Sequence, residues 1–208
     1  MNSRSASDRR ALLRAGVGLG VSGAAVSLLP LPIGSAVASS GTDGTTTTAP
    51  PRRPTDDDVA LLAAAQQIEL TARELYDVAL AAGGWSEVET TVITTIREAH
   101  EAVAQALAGM LGGDAPGEIS QPLFESLSGG FEGSLGDRLA AAYSLESAIV
   151  ATHGAALAAL TGIDGATLVA AAQSAEARHG TVLADLAGDT DLATLLVWNE
   201  QAELEVSA

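Results

Sequence analysis

The sequence predicts an all-α protein. Its core is an antiparallel four-helix bundle made of two helical hairpins joined by a long crossover, with a short C-terminal helix added. Three observations predict it. Hydrophobic residues make up 47% of the 208 residues but aromatics only 3%, so Ala and Leu dominate, and these favour helix over sheet. Four segments of about 22–28 residues carry apolar side chains at helical period, each stopped by glycine. Two connections between them are very short and one is long.

Charge and composition remove several function classes. Asp and Glu number 26 against 10 basic residues, a net charge of −16, which argues against a nucleic-acid backbone as partner. Every basic residue is Arg, so Schiff-base and lysine chemistry are excluded. Zero cysteines exclude disulfides, a thiol nucleophile, Cys-ligated zinc, iron–sulfur clusters and a lipidated cysteine. No Gly-rich phosphate loop, haem motif, Ser-His-Asp order or H-E-x-x-H step is present.

Taken in order, residues 1–38 read as an export signal. Arg4, Arg9, Arg10 and Arg14 precede an apolar run from Ala15 to Leu29, Pro30 and Pro32 break it, and Ala36-Val37-Ala38 offers a small-x-small cleavage site. The stretch Asp8-Arg9-Arg10-Ala11-Leu12-Leu13-Arg14 resembles a twin-arginine signal, which implies export of an already folded chain to the periplasm, cell envelope or exterior. Cleavage would leave no membrane span. Residues 39–54, rich in Thr and Pro, cannot bury a core and read as a disordered linker.

The bundle is expected over residues 55–188. The first helix runs from about Asp56 to Ala82, with Thr55 as N-cap and Gly83-Gly84 as stop. The second opens on a capping box, Ser86 with Glu89, and ends at Gly112-Gly113. The third follows Ser134 and ends near Gly162. The fourth follows Asp164 and ends near Gly188. The stretch from Gly113 to Gly133 is the crossover along the bundle. Residues 189–208 carry a short helix from about Asp191 to Glu205 and a tail, with Trp85 and Trp198 sealing loop or tail regions.

The two hairpins align with each other. Ala63-Ala64-Ala65 matches Ala140-Ala141-Ala142, and in that register Glu69 meets Glu146 and Tyr76 meets His153. Helices two and four align at a near-constant offset that pairs Gly112 with Gly188. This reads as a duplication. Written as heptads, the inward seams are Leu62, Ala65, Glu69, Ala72, Tyr76, Ala79; Ile93, Ile96, His100, Val103, Leu107, Met110; Leu139, Ala142, Glu146, Ile149, His153, Ala156; and Val169, Ala172, Glu176, His179, Leu183, Leu186. Each seam thus carries an ionisable residue near mid-length. Glu74, Asp77, Glu98 and Glu101 fall outside the seams and should be solvated. An unpaired buried carboxylate costs several kcal/mol, so the inward ones must be paired, protonated or metal-bound. Oxygen and imidazole ligands suit iron, manganese or zinc.

Glu176-Ala177-Arg178-His179, an E-x-x-H step, and the spacings Glu69/Tyr76 and Glu146/His153 resemble the ferritin-like superfamily, especially its secreted bacterial members, over roughly Asp58 to Gly188. The resemblance implies a metal site with a Glu from each of helices one and three and an E-x-x-H step from each of helices two and four. Glu69, Glu146, Glu176 and His179 match that pattern. Helix two departs from it: His100 stands where Glu is expected and Val103 where His is expected. His100 is kept with the other four as a candidate ligand. His153, two turns or about 10 Å along the axis from Glu146, reads as too far away to replace Val103. Tyr76 reads as a packed core aromatic. Two functions follow. One is an exported protein with a degenerate di-metal-type site for iron or manganese, whose activity, if any, would be of the metal-dependent oxidase type. The other is a non-catalytic envelope or stress protein that keeps the bundle as a scaffold.

Overall fold

The computed structural model describes residues 54–189, 191 and 201–206, and all that follows concerns them. The signal reading of residues 1–38, the linker up to Arg53 and the placement of Trp198 lie outside the described residues. Among those described there are five α-helices and no strand: α1 Asp56–Ala81, α2 Glu87–Leu111, α3 Gln121–Phe131, α4 Leu135–Ala159 and α5 Ile163–Ala187. The four long helices are each about 38 Å. None is long and apolar enough to cross a membrane.

Local chemistry sets the helix ends. Thr55 accepts from the Asp58 amide at the start of α1, and Ser86 with Glu89 and Ser134 with Asp137 form reciprocal capping boxes on α2 and α4. The turn from α1 to α2 needs positive φ at Gly83 (69°) and Gly84 (78°). No basic residue stands in the last turn of α1. Arg138 of α4 supplies the charge instead, donating to the carbonyls of Ala79 (2.9 Å) and Gly83 (2.7 Å). Its guanidinium lies 4.5 Å from the ring centroid of Trp85, whose indole also donates to Ala79 (2.7 Å). At the other end, the Asp58 carboxylate accepts from the backbone amides of Thr161 (2.9 Å) and Gly162 (2.7 Å). These bonds, the Thr161 amide first, hold its carboxyl below the ordinary range. Asp58 therefore fastens the α4–α5 turn to the start of α1, beyond the dipole role its position predicts.

The fourth long helix begins at Ile163 behind Gly162, not after Asp164, because the chain turns as soon as Asp58 has caught the Thr161 and Gly162 amides. The crossover holds a 3-10 turn, Gly112–Asp114, and then α3. In the sequence its two Gly-Gly pairs and two prolines mask this 11-residue helix; Pro122 sits in the first turn, where proline is tolerated. Helix α3 packs on α1 and α4 with Leu123 and Phe131 buried. Gln66 of α1 accepts from the Gly117 amide (3.2 Å) and donates to the Ala104 carbonyl (3.2 Å), and Thr71 accepts from the Ser120 amide (3.0 Å). These bonds lay the crossover along α1.

The expected helix from Asp191 to Glu205 is corrected in part. Asp191 and residues 201–206 are not helical, and 192–200 lie outside the described residues. The Leu204 amide donates to Thr152 of α4 (2.8 Å), so this tail satisfies its backbone on the bundle instead of within itself. The α2 seam also drifts from strict heptads. Ala104 and Leu111 are buried where Val103 and Met110 were expected, and these two are only half-buried, as a straight 3.6-residue helix requires. Two apolar clusters result. One holds Ile68, Leu75, Ile93, Ile96, Phe131 and Leu183; the other holds Leu62, Ala65, Leu107, Leu111 and Val169. A polar layer crosses the bundle between them.

Candidate metal centre

The layer gathers all three histidines of the chain and the three buried glutamates among the described residues. The helical period alone makes this possible. Glu69 on α1, His100 on α2, Glu146 on α4, and Glu176 and His179 on α5 sit near mid-length, and His153 lies two turns beyond Glu146 on α4. They fall into two groups, His100–Glu146–His179 and Glu69–His153–Glu176. Within each, one ligand atom per residue lies within 4.8 Å of the others.

His100 joins the groups. Its Nδ1 lies 2.7 Å from Glu69 Oε2 and its Nε2 lies 3.0 Å from Glu146 Oε1. A carboxylate faces each nitrogen, an arrangement that favours the cationic ring, which can donate from both. Tyr76 donates to Glu146 Oε1 at 2.5 Å and stacks on His100, with centroids 5.5 Å apart. Phe131 of the crossover helix covers that tyrosine edge-on at 6.0 Å. His179 Nδ1 lies 3.2 Å from Glu146 Oε2, and its side chain, 17% exposed, is the member of the layer that reaches solvent.

The second group is drier and less complete. His153 Nδ1 lies 2.9 Å from Glu176 Oε2, and its Nε2 lies 3.5 Å from Glu69 Oε1, too long for a hydrogen bond. Glu69 Oε1, His153 Nε2 and Glu176 Oε1 are all buried without a hydrogen-bond partner. Buried polar atoms without a hydrogen bond are uncommon, and these three belong to one of the two groups that could hold a metal ion.

Protonation follows the same division. Burial opposes ionisation of Glu146, but His100 and then His179 outweigh it and hold the carboxyl down to about 2. Burial likewise opposes the charge on Glu69, which His100 and His153 keep below its ordinary value. For Glu176 nothing outweighs burial. Desolvation and then the Glu69 charge push it up to about 8. Burial disfavours the cationic rings of His100 and His153. Glu146 and Glu69 nevertheless raise the first well above 6.5, and Glu176 and Glu69 raise the second. Burial and the Glu146 charge push the Tyr76 hydroxyl well above 10, so it stays a donor.

The family model for the ferritin-like domain matches residues 57–189, from the first turn of α1 to just beyond α5. The chain belongs to the ferritin-like family. Neither the curated proteins nor the solved structures compared with it give a match.

Within this ferritin-like bundle, the five residues singled out from the sequence, Glu69, His100, Glu146, Glu176 and His179, all lie in the layer. The reading of His153 is corrected: it joins Glu69 and Glu176. Its contacts run sideways to Glu69 on α1 and Glu176 on α5 and not along α4 to Glu146, and a helical side chain leans back toward the N-terminus of its own helix. Its place on the inward seam was the available signal. Tyr76 is packed as expected, but it also donates to the site, and its alignment with His153 in the duplicated register was the hint. Val103 faces the second apolar cluster instead. The residues outside the seams behave as surface groups. Arg73 pairs with Glu74 and Glu101, and Arg97 with Asp77 and Glu101.

Proposed function

We propose that the chain is an exported ferritin-like protein whose mid-bundle layer binds iron or manganese. The observation that carries this is the convergence of six ligand-type side chains from all four long helices on two groups a few ångström across. The donors are carboxylate oxygen and imidazole nitrogen, the set that suits these ions. Three of the donor atoms make no hydrogen bond of their own, which leaves them open to an ion. A bound ion of this kind supplies Lewis-acid and one-electron chemistry. Around it, the apolar clusters on either side exclude water, and Tyr76 and His100 orient Glu146. Export rests on the Arg9-Arg10 signal pattern. Replacing this pair with lysines should abolish export by that route, while continued export would point to another leader.

The direct test is thermal unfolding of the full chain in chelator and in Mn2+ or anaerobic Fe2+. An ion at 100 times its Kd should stabilise the fold by about 2.7 kcal/mol, several degrees in Tm. The same Tm in every condition would remove the metal reading.

A second reading, a scaffold without metal, is favoured by one observation: Glu146 is fully satisfied by Tyr76, His100 and His179. Half of the layer is thus stable by itself, and the unchanged Tm above is the result this reading expects.

A further inference from the structure

We propose that the layer takes a single metal ion, in the Glu69–His153–Glu176 group, and that the His100–Glu146–His179 group is closed by the protein's own hydrogen bonds. This rests on the metal-binding reading above and narrows it to one ion and three ligands.

The two groups differ in a way that side-chain inventory conceals. In the His100 group both imidazole nitrogens of His100 are engaged, and both oxygens of Glu146 are engaged, one of them twice. A cation held by His100 and Glu146 there would compete with the Tyr76 bond and with a ring already held between two carboxylates. That ring occupies the position that joins the groups. In the Glu69 group the reverse holds: three atoms make no hydrogen bond, one on each residue, and they belong to three different helices, α1, α4 and α5. The 3.5 Å between His153 Nε2 and Glu69 Oε1 is too long for a hydrogen bond but matches two ligands sharing an ion at about 2.1 Å each. Two carboxylates and one neutral imidazole also balance one divalent charge. Three carboxylates against two such ions would leave an excess of about one positive charge in a water-excluded layer.

The His100 side of the layer then has a separate task. By holding Glu69 Oε2 through its Nδ1, His100 leaves Oε1 of the same carboxylate turned to His153 and Glu176. It is a positioning residue, not a ligand. His153, supplied by α4, takes the nitrogen-donor role that Val103 on α2 cannot fill.

The test is titration of the metal-stripped full chain with Mn2+, followed by calorimetry and by the electron paramagnetic resonance of free Mn2+, and with Co2+, followed by its visible absorption. One tight equivalent per chain is expected. His153→Ala and Glu176→Gln should weaken it at least tenfold, while His179→Ala should keep one equivalent within about threefold of the wild-type affinity. Circular dichroism and melting of each variant check the fold, and His153→Gln replaces His153→Ala if the latter fails to fold. Two tight equivalents in the wild type, or a loss in His179→Ala equal to that in His153→Ala, would overturn the single-ion assignment and leave metal binding standing. No tight equivalent for either ion would overturn both.

Discussion

Glu176 carries the largest conflict in the protein. Its carboxyl is buried beside that of Glu69, one of its oxygens has no partner, and it gives up its proton only near pH 8. Replacing it with glutamine removes the buried charge at nearly unchanged size. Glu176→Gln should therefore raise the metal-free stability at pH 8.5 by about 1–2 kcal/mol in urea unfolding, against the usual sign for a core substitution. Tyr76→Phe should act the other way. It strips a 2.5 Å donor from a buried carboxylate, at a cost of about 1.5–3 kcal/mol in the same measurement. The sequence exposed these residues to different degrees. Glu69, His100, Glu146, Glu176 and His179 were legible because burying a charge is costly and helical period says which charges are buried. His153 and Tyr76 were harder to read. Their roles depend on how far a ring reaches across a helix interface, and periodicity along one chain segment does not contain that distance.

At the scale of elements, the long helices were legible because each carries its own stop and start signals, as with Gly83-Gly84, the Ser86–Glu89 box and Gly188. Helix α3 was not. Its Gly129-Gly130 pair reads as a break, yet Gly130 is there because α3 lies against α4: a Cβ at this position would come within 2.9 Å of the Ala141 Cβ. The reason for this glycine is a tertiary contact, which no local rule encodes. Gly130→Ala should push α3 off α4 and cost about 1–3 kcal/mol despite the gain in helix propensity. Because Phe131 covers Tyr76, the same variant should also speed hydrogen exchange in α3 relative to α1. Equal exchange in variant and wild type would mean that the crossover helix is not held by this contact.

For the whole molecule, the layer should make stability and metal affinity run in opposite directions with pH. Folded, Glu176 keeps its proton up to about pH 8, while an unfolded glutamate loses it near 4.5. The folded chain binds more protons across that interval, so metal-free stability falls as pH rises through it. His100 and His153 act in the same sense. The stability they add is fully present below 6.5 and is lost as pH rises through their higher folded values. Glu146 matters only at the acid end, where its contribution, present above about 4.5, is lost as pH falls to about 2. A metal must displace protons from Glu176 and His153, so its affinity should rise over the window in which the metal-free fold weakens. Melting in chelator and in Mn2+ at pH 5.5, 7 and 8.5 should therefore give curves that diverge with pH. Parallel curves would argue against any metal in the layer.

The claim on which the rest depends is that this ferritin-like layer binds metal at all. Elemental analysis of the full chain tests it most directly, with the protein purified without a metal-binding tag from cells supplied with iron and manganese. Glu176→Gln serves as the partner sample, since it should fold at least as well. Stoichiometric iron or manganese in the wild type and only traces in the variant is the expected result. Equal traces in both would contradict it.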